Sequence, residues 1–175
     1  MRLFGDVKRW CMGLGQRGAA SIEFAIIASS FMLMLLAAFE FGYMLFVQSA
    51  LDNAARDAAR LVRTGQAQQS ADAQSTFQTL LCNDVSAIIG CGNIIYQALV
   101  FNDWSSAQSS VNAGPTRNAQ GVYQTAGFSA GTQGQIMVIT VTYNYPFFTP
   151  WVGGLFGNSN SAFLMSTVVF QNEPY

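Results

Sequence analysis

The 175-residue chain is 51% hydrophobic and 10% charged, against roughly 25% charged in an average soluble domain. It contains no histidine, which removes the commonest general base and the commonest metal ligand, so catalysis is not expected. The net charge of −1 hides an asymmetry: Arg2, Lys8, Arg9 and Arg17 face only Asp6 in residues 1–18, whereas Arg56, Arg60, Arg63 and Arg117 face eight acids thereafter, and no basic stripe interleaved with aromatics follows residue 63, which excludes a nucleic-acid surface.

Residues 13–18 spell G-x-G-x-x-G, with glycines at Gly13, Gly15 and Gly18. A dinucleotide site would need this motif after a strand in a soluble βαβ unit. Here it follows a basic leader and opens an apolar run. Residues 24–39 carry no charge, Glu40 interrupts them, and residues 41–47 continue the run. The uncharged part alone reaches about 24 Å at helical rise, short of a ~30 Å hydrocarbon core; residues 19–47 together are long enough to span. The preceding Lys/Arg cluster predicts a cytoplasmic N-terminus and an exported C-terminal part. A cleaved secretory signal and a plain uncleaved anchor are the rival readings. Against the first stand the length of the run, Glu23 at its start and the lack of a small-x-small site closing it.

Beyond residue 47 the apolar residues Leu51, Ala54, Ala55, Ala58, Leu61 and Val62 recur at three- and four-residue steps. This predicts an amphipathic continuation of the same helix over residues 48–65. Asp52 with Arg56 and Asp57 with Arg60 are spaced to pair on its other side. Gly65, after two arginines, is the expected stop. A helix over residues 19–63 would be roughly 70 Å long, and its second half must bury its stripe against the domain on its C-terminal side.

Residues 66–175 read as an α+β domain. Phe77, Leu80, Leu81 and Ile88 suggest a short helix ended by Gly90-Cys91-Gly92. Cys82 and Cys91 are a disulfide across a short loop if this part is exported, or else two free thiols. Two thiolates without histidine leave a zinc shell half empty. Residues 93–101 read as a strand, 102–134 mainly as loop with a short strand near Val122 and Tyr123, and 135–145 as the clearest strand, ended by Pro146. A loop through residue 160 leads to a final strand at 162–171. Three or four antiparallel strands against the amphipathic end of a long helix form the expected architecture. Asp103 and Trp104 read as a capping acid beside a buried Trp, or as a surface recognition spot. Tyr143, Tyr145, Phe147, Phe148 and Trp151 read as core, with adhesion or a membrane interface as alternatives.

Gly18-Ala19-Ala20-Ser21-Ile22-Glu23-Phe24 resembles a prepilin-peptidase site, in which a basic leader ends in Gly and Glu is fifth in the mature chain. Together with Phe39-Glu40-Phe41-Gly42-Tyr43 and the run from Asn53 to Arg60, which contains Ala-Ala-Arg-Asp-Ala-Ala-Arg, it resembles the TadE/TadG family of tight-adherence pilus components. The run departs from the family pattern by Asp-Ala where Glu-Gly is usual. The tail from Phe170 to Tyr175 is similar to that of family members. The resemblance implies a pilin-like fold and cleavage of leader 1–18 between Gly18 and Ala19. It also implies subunit contacts through Glu23, Phe24 and Glu40, and helix-signature roles for Gly42, Arg56 and Arg60. The implied protein is a minor pilin or pseudopilin of the inner membrane, with residues 66–175 periplasmic. Its partners would be other pilin-like subunits, the pilus assembly platform and the prepilin peptidase, with no cofactor, small-molecule substrate or nucleic acid. For Glu23 the alternative is a carboxylate that marks the interface and snorkels. Glu40 lies 17 positions on, about 100° short of five turns, so the two carboxylates do not share a face; its alternative is contact with water at the outer headgroup layer. The competing function is a membrane-anchored binding module or adhesin that uses exposed loops at 102–134 and 146–160.

Overall fold

The computed structural model describes residues 18–119, 122–125, 127–155 and 160–175; the basic leader with Cys11, Gly13 and Gly15 lies outside the described residues. Helix α1 (Ala19–Arg63) passes through both compact units into which the chain divides, residues 1–41 and 42–175. In the first unit Phe24 is 72% exposed, and Ile26, Ile27, Phe31 and Leu36 also face outward. Among the described residues α1 is the one helix long and apolar enough to cross a membrane, and none of its most apolar window is buried. Apolar side chains presented all round a helix over several turns require lipid or protein around them.

The second unit rests on residues 42–63 of α1 and a three-stranded antiparallel sheet. Strands β1 (Ile94–Phe101), β2 (Ile136–Pro146) and β3 (Ser161–Gln171) lie in the order β1-β2-β3, with Ala98 opposite Ile139 and Ile139 opposite Val168. The β-branched run in β2 suits a central strand, and its residues 136–142 are buried on both faces.

The face of Met137, Ile139, Val141 and Tyr145 receives α1 and α2 (Ala73–Val85). Tyr43 of α1 lies 6.2 Å from Tyr145, and Phe77 of α2 lies 5.5 Å from Tyr96 of β1. Gln48 donates to the Met165 carbonyl at 3.1 Å, and the Glu173 amide donates to the Arg63 carbonyl at 3.0 Å. Residues 48–63 of α1 therefore run parallel to β3. Their apolar stripe is buried at Val47, Leu51, Ala54, Ala55, Ala58, Ala59 and Val62. This is the expected stripe except that Leu61 is half-buried. The two charge pairs inferred from spacing do not form. The one ion pair among the described residues joins Arg63 to Glu173 at 3.1 Å, and Asp52 accepts from Gln48 at 3.0 Å. An exposed pair gains too little to hold two long side chains in place.

The opposite face is covered by α3 (Trp104–Ala113), in a segment expected to be loop. Ala107 packs with Ile136 and Val138, and Phe101 joins them. Serine-rich sequence is a poor helix signal, so the caps carry this helix. Asp103 accepts from the Ser106 amide at 2.8 Å, and Gly114, at φ +72°, closes the end before Pro115. Asp103 is thus the capping acid, but Trp104 is 58% exposed and not buried beside it. The isolated bridge between Arg117 and Tyr123 is what exists of the expected strand near Val122. Gln97, Thr140 and Thr142 form a buried polar layer on this face. Thr116 satisfies Gln97 through its amide and hydroxyl, each at 3.2 Å.

Asp72 caps α2 by accepting from the Gln74 and Ser75 amides. Cys82 in α2 is bonded to Cys91 with Cα atoms 5.4 Å apart, which decides against the free-thiol alternative. Cys91 opens a 3-10 turn, Cys91–Asn93, that leads straight into β1. The loop expected before β3 contains a short helix, α4 (Pro150–Leu155), with proline at its first position where no amide bond is lost.

The end of α1 is clasped by the tail. Gly65 takes the left-handed conformation (φ +79°) and donates to the Val62 carbonyl at 3.1 Å. The Tyr175 ring covers it so closely that a Cβ would overlap the ring. Asn172, 3% exposed, donates to the Ala130 and Thr132 carbonyls at 3.0 and 3.1 Å. Gln68 donates to the same Ala130 carbonyl at 2.7 Å and to Val62 at 3.0 Å. One loop carbonyl thereby ties the helix end to the tail, while the half-exposed Arg63–Glu173 pair sits outside this buried amide cluster.

Three outcomes are expected. Asn172→Ala should lower unfolding stability by about 2 kcal/mol and Arg63→Ala by less than about 1 kcal/mol, read by urea denaturation of the detergent-solubilised chain; the reverse order would place the clasp in the ion pair. Reducing the Cys82–Cys91 bond should remove roughly 2–3 kcal/mol, the loop-closure entropy of a short ring, in the same assay. The Ser105 hydroxyl, then the Ser106 amide and hydroxyl, hold the Asp103 carboxyl down from 3.8 to about 2. A depressed folded-state pKa means that the cap is fully present above pH 3.8 and is lost as pH falls through about 2. A carboxyl-carbon titration by NMR should show that midpoint, and a midpoint at the ordinary value would refute the cap.

Candidate functional site

The Ile22 amide donates to the Gly18 carbonyl at 3.2 Å, so Gly18 stands at the N-cap and α1 begins at Ala19. The 18–19 peptide bond therefore lies at the junction of leader and helix, and the Ala19 amide is one of the four that a helix start leaves without an intrahelical partner. Glu23 follows Ala19 by four residues, one turn along the same face. It lies one residue past the first turn, where the helix dipole no longer acts strongly. Glu23 and Phe24 are both exposed, on a stretch whose neighbours are almost all apolar.

The second carboxylate is different. Glu40 is only 5% exposed and engaged, so the reading in which it meets water does not describe this fold. A carboxylate taken out of water is expensive unless its surroundings compensate it. Buried in the single chain, Glu40 offers a neighbouring subunit far less surface than Glu23 does. Gly42 shows no local packing demand, since a Cβ there would meet nothing within 4 Å.

Arg56 and Arg60 stand one turn apart on the exposed side of α1. With Ala59 they line a shallow groove whose other wall is Val168 and Val169 of β3. The structure thus brings Gly18, Ala19 and Glu23 together on the first turns of α1, and Arg56 and Arg60 together on its last turns. Glu40 and Gly42 lie between these groups along the helix, and Cys82 and Cys91 belong to the join of α2 and β1. The residues that sequence reasoning passed over are Gln68 and Asn172. Both sit in polar tracts without periodicity; only the similarity of the tail to family members pointed at Asn172. Among the described residues no group of three or more Cys, Asp and Glu gathers as a metal site would require.

Residues 18–60 match the family model described as TadE-like protein. No curated protein and no solved structure matches the chain. The matched segment includes Gly18, Glu23, Phe24, Glu40, Gly42, Arg56 and Arg60, and it lies almost wholly on the helix that is the candidate membrane anchor. Over its long first helix, residues 18–60, this chain is similar to TadE-like proteins, a likeness that suggests involvement in tight-adherence pilus assembly.

Proposed function

We propose that the chain is a structural subunit, a minor pilin or pseudopilin of a tight-adherence pilus, and not an enzyme. A prepilin peptidase removes the leader after Gly18. Residues 19–47 then hold the subunit in the inner membrane with its N-terminus cytoplasmic and residues 66–175 periplasmic. The observation that carries this reading is Gly18 at the very start of α1, with the exposed Glu23 one turn inside an otherwise apolar helix.

The chemistry of assembly rests on that placement. A carboxylate in the hydrocarbon layer costs roughly 3 kcal/mol or more when unpaired. Cleavage creates an ammonium group at Ala19, and the amine of one subunit and the Glu23 of its neighbour neutralise each other when helices pack side by side. Phe24, fully presented beside Glu23, supplies apolar contact to the same neighbour. The orientation is supported by the four basic residues before the apolar run, and export by the Cys82–Cys91 disulfide. Association with the assembly platform and with other pilin-like subunits belongs to the same proposal.

The N-terminal mass of protein from membranes, with and without prepilin peptidase, tests the first step: a chain that starts at Ala19 only when the peptidase is present is expected. An intact leader in both strains would make this a plain signal anchor, and a start beyond residue 40 would mean ordinary secretion. Glu23→Ala should be processed normally yet leave pili unassembled, and wild-type piliation in that variant would overturn the assembly role.

A further inference from the structure

The second unit carries an aromatic patch that the pilus reading leaves unused. Tyr43 and Phe46 of α1 are 40% and 56% exposed, and Phe148 and Trp151 are 72% and 45% exposed. The Tyr43 ring lies 5.8 Å from Phe148 and 6.4 Å from Phe46, so these three rings form one continuous surface, and Trp151 is exposed three residues on from Phe148 along the chain. The segment that bears Phe148 and Trp151 is anchored on either side: Phe147, just before Phe148, is 4% exposed, and Val152, just after Trp151, is 0% exposed. The Gly153 amide also bonds the Thr149 carbonyl at 3.0 Å. The exposed rings are therefore held outward by a fixed backbone.

We propose that this patch rests in the headgroup layer of the bilayer that α1 crosses, so that the domain is tied to the membrane surface at a second point beside its helix. The inference rests on the reading of α1 as a membrane span. Continuity favours lipid as the occupant. Tyr43, Leu45 and Phe46 are exposed members of the same apolar run that begins at residue 24, and the first charge after Glu40 is Asp52. The covering segment is equally free of charge, since no charged residue falls between Arg117 and Glu173. Tyr and Trp rings with a polar edge and an apolar body are the side chains that settle at this depth. Trp104, exposed on α3 beside Asp103 on the opposite face of the sheet, serves as the contrasting site.

The test uses the full chain in vesicles of phosphatidylethanolamine and phosphatidylglycerol, with single-tryptophan variants. One retains Trp151 (Trp10→Phe with Trp104→Phe), and one retains Trp104 (Trp10→Phe with Trp151→Phe). A third replaces all three by Phe and carries Phe31→Trp as a reporter of the span. Expected is strong quenching of Trp151 by lipids brominated near the headgroup, with protection from aqueous iodide, and the opposite pattern for Trp104. Trp151 open to iodide and blind to bromolipid would overturn the inference, placing the patch in water. Trp151 shielded from both quenchers would also overturn it, placing a protein subunit on the patch. Quenching at Phe31→Trp by bromolipid in either of these cases would leave the membrane anchor standing and remove only the surface contact. Its absence would remove both.

Discussion

The second unit depends on one contact: the small-residue stripe of α1, from Val47 to Val62, laid along the sheet parallel to β3. Four alanines at positions 54, 55, 58 and 59 are buried there, and side chains of that size let a helix sit close to a twisted sheet while Leu51 and Val62 fill the ends. Both termini of this contact are fixed by hydrogen bonds to the backbone of β3 or its continuation. Burying apolar surface supplies the driving force; those end bonds set the register, which a smooth alanine surface alone would leave free to slide.

Because α1 uses one face of the sheet, the other face had to be covered by the segment between β1 and β2. The chain solves this with α3 at one end and a polar layer of Gln97, Thr140 and Thr142 in the middle. A buried polar layer is tolerable only where partners exist, and Thr116 meets Gln97 while Thr140 and Thr167 meet each other at 3.3 Å. The same logic governs the tail, where Asn172 and Gln68 converge on one loop carbonyl. Directed bonds to backbone thus do what a larger hydrophobic core would do in a bigger domain, aided by the cross-link between α2 and the 3-10 turn before β1.

The surface shows a matching division of labour. Charges are concentrated on the leader and on the outer side of α1 around Arg56 and Arg60, while the segment from β2 through β3 is charge-free. An exposed apolar helix in one unit and an exposed aromatic patch in the other are surfaces that water alone does not satisfy. On the proposed reading, lipid surrounds the exposed stretch of α1.

Much of this was legible in the sequence, for identifiable reasons. The apolar run, the three- and four-residue recurrence from Leu51 to Val62 and the stop at Gly65 are local patterns whose physics is local: helical period, burial of one stripe and a left-handed cap. Strands β1, β2 and β3 announced themselves by β-branched runs bounded by turn residues. The undecided points lay wherever the deciding partner was distant. Helix α3 exists because Ala107 finds Ile136 and Val138, and serine-rich text does not advertise that. Asp52, Asp57, Arg56 and Arg60 stood at pairing distance in sequence, yet among the described residues the ion pair that forms joins Arg63 to Glu173, more than a hundred residues away along the chain. Trp104 looked buried and is exposed, and Glu40, left between a subunit contact and a water-facing position, is buried, because enclosure belongs to the tertiary arrangement and not to a residue type. Local periodicity and capping are written in neighbouring residues; which faces meet, and which polar groups find partners, is decided only when the chain closes on itself.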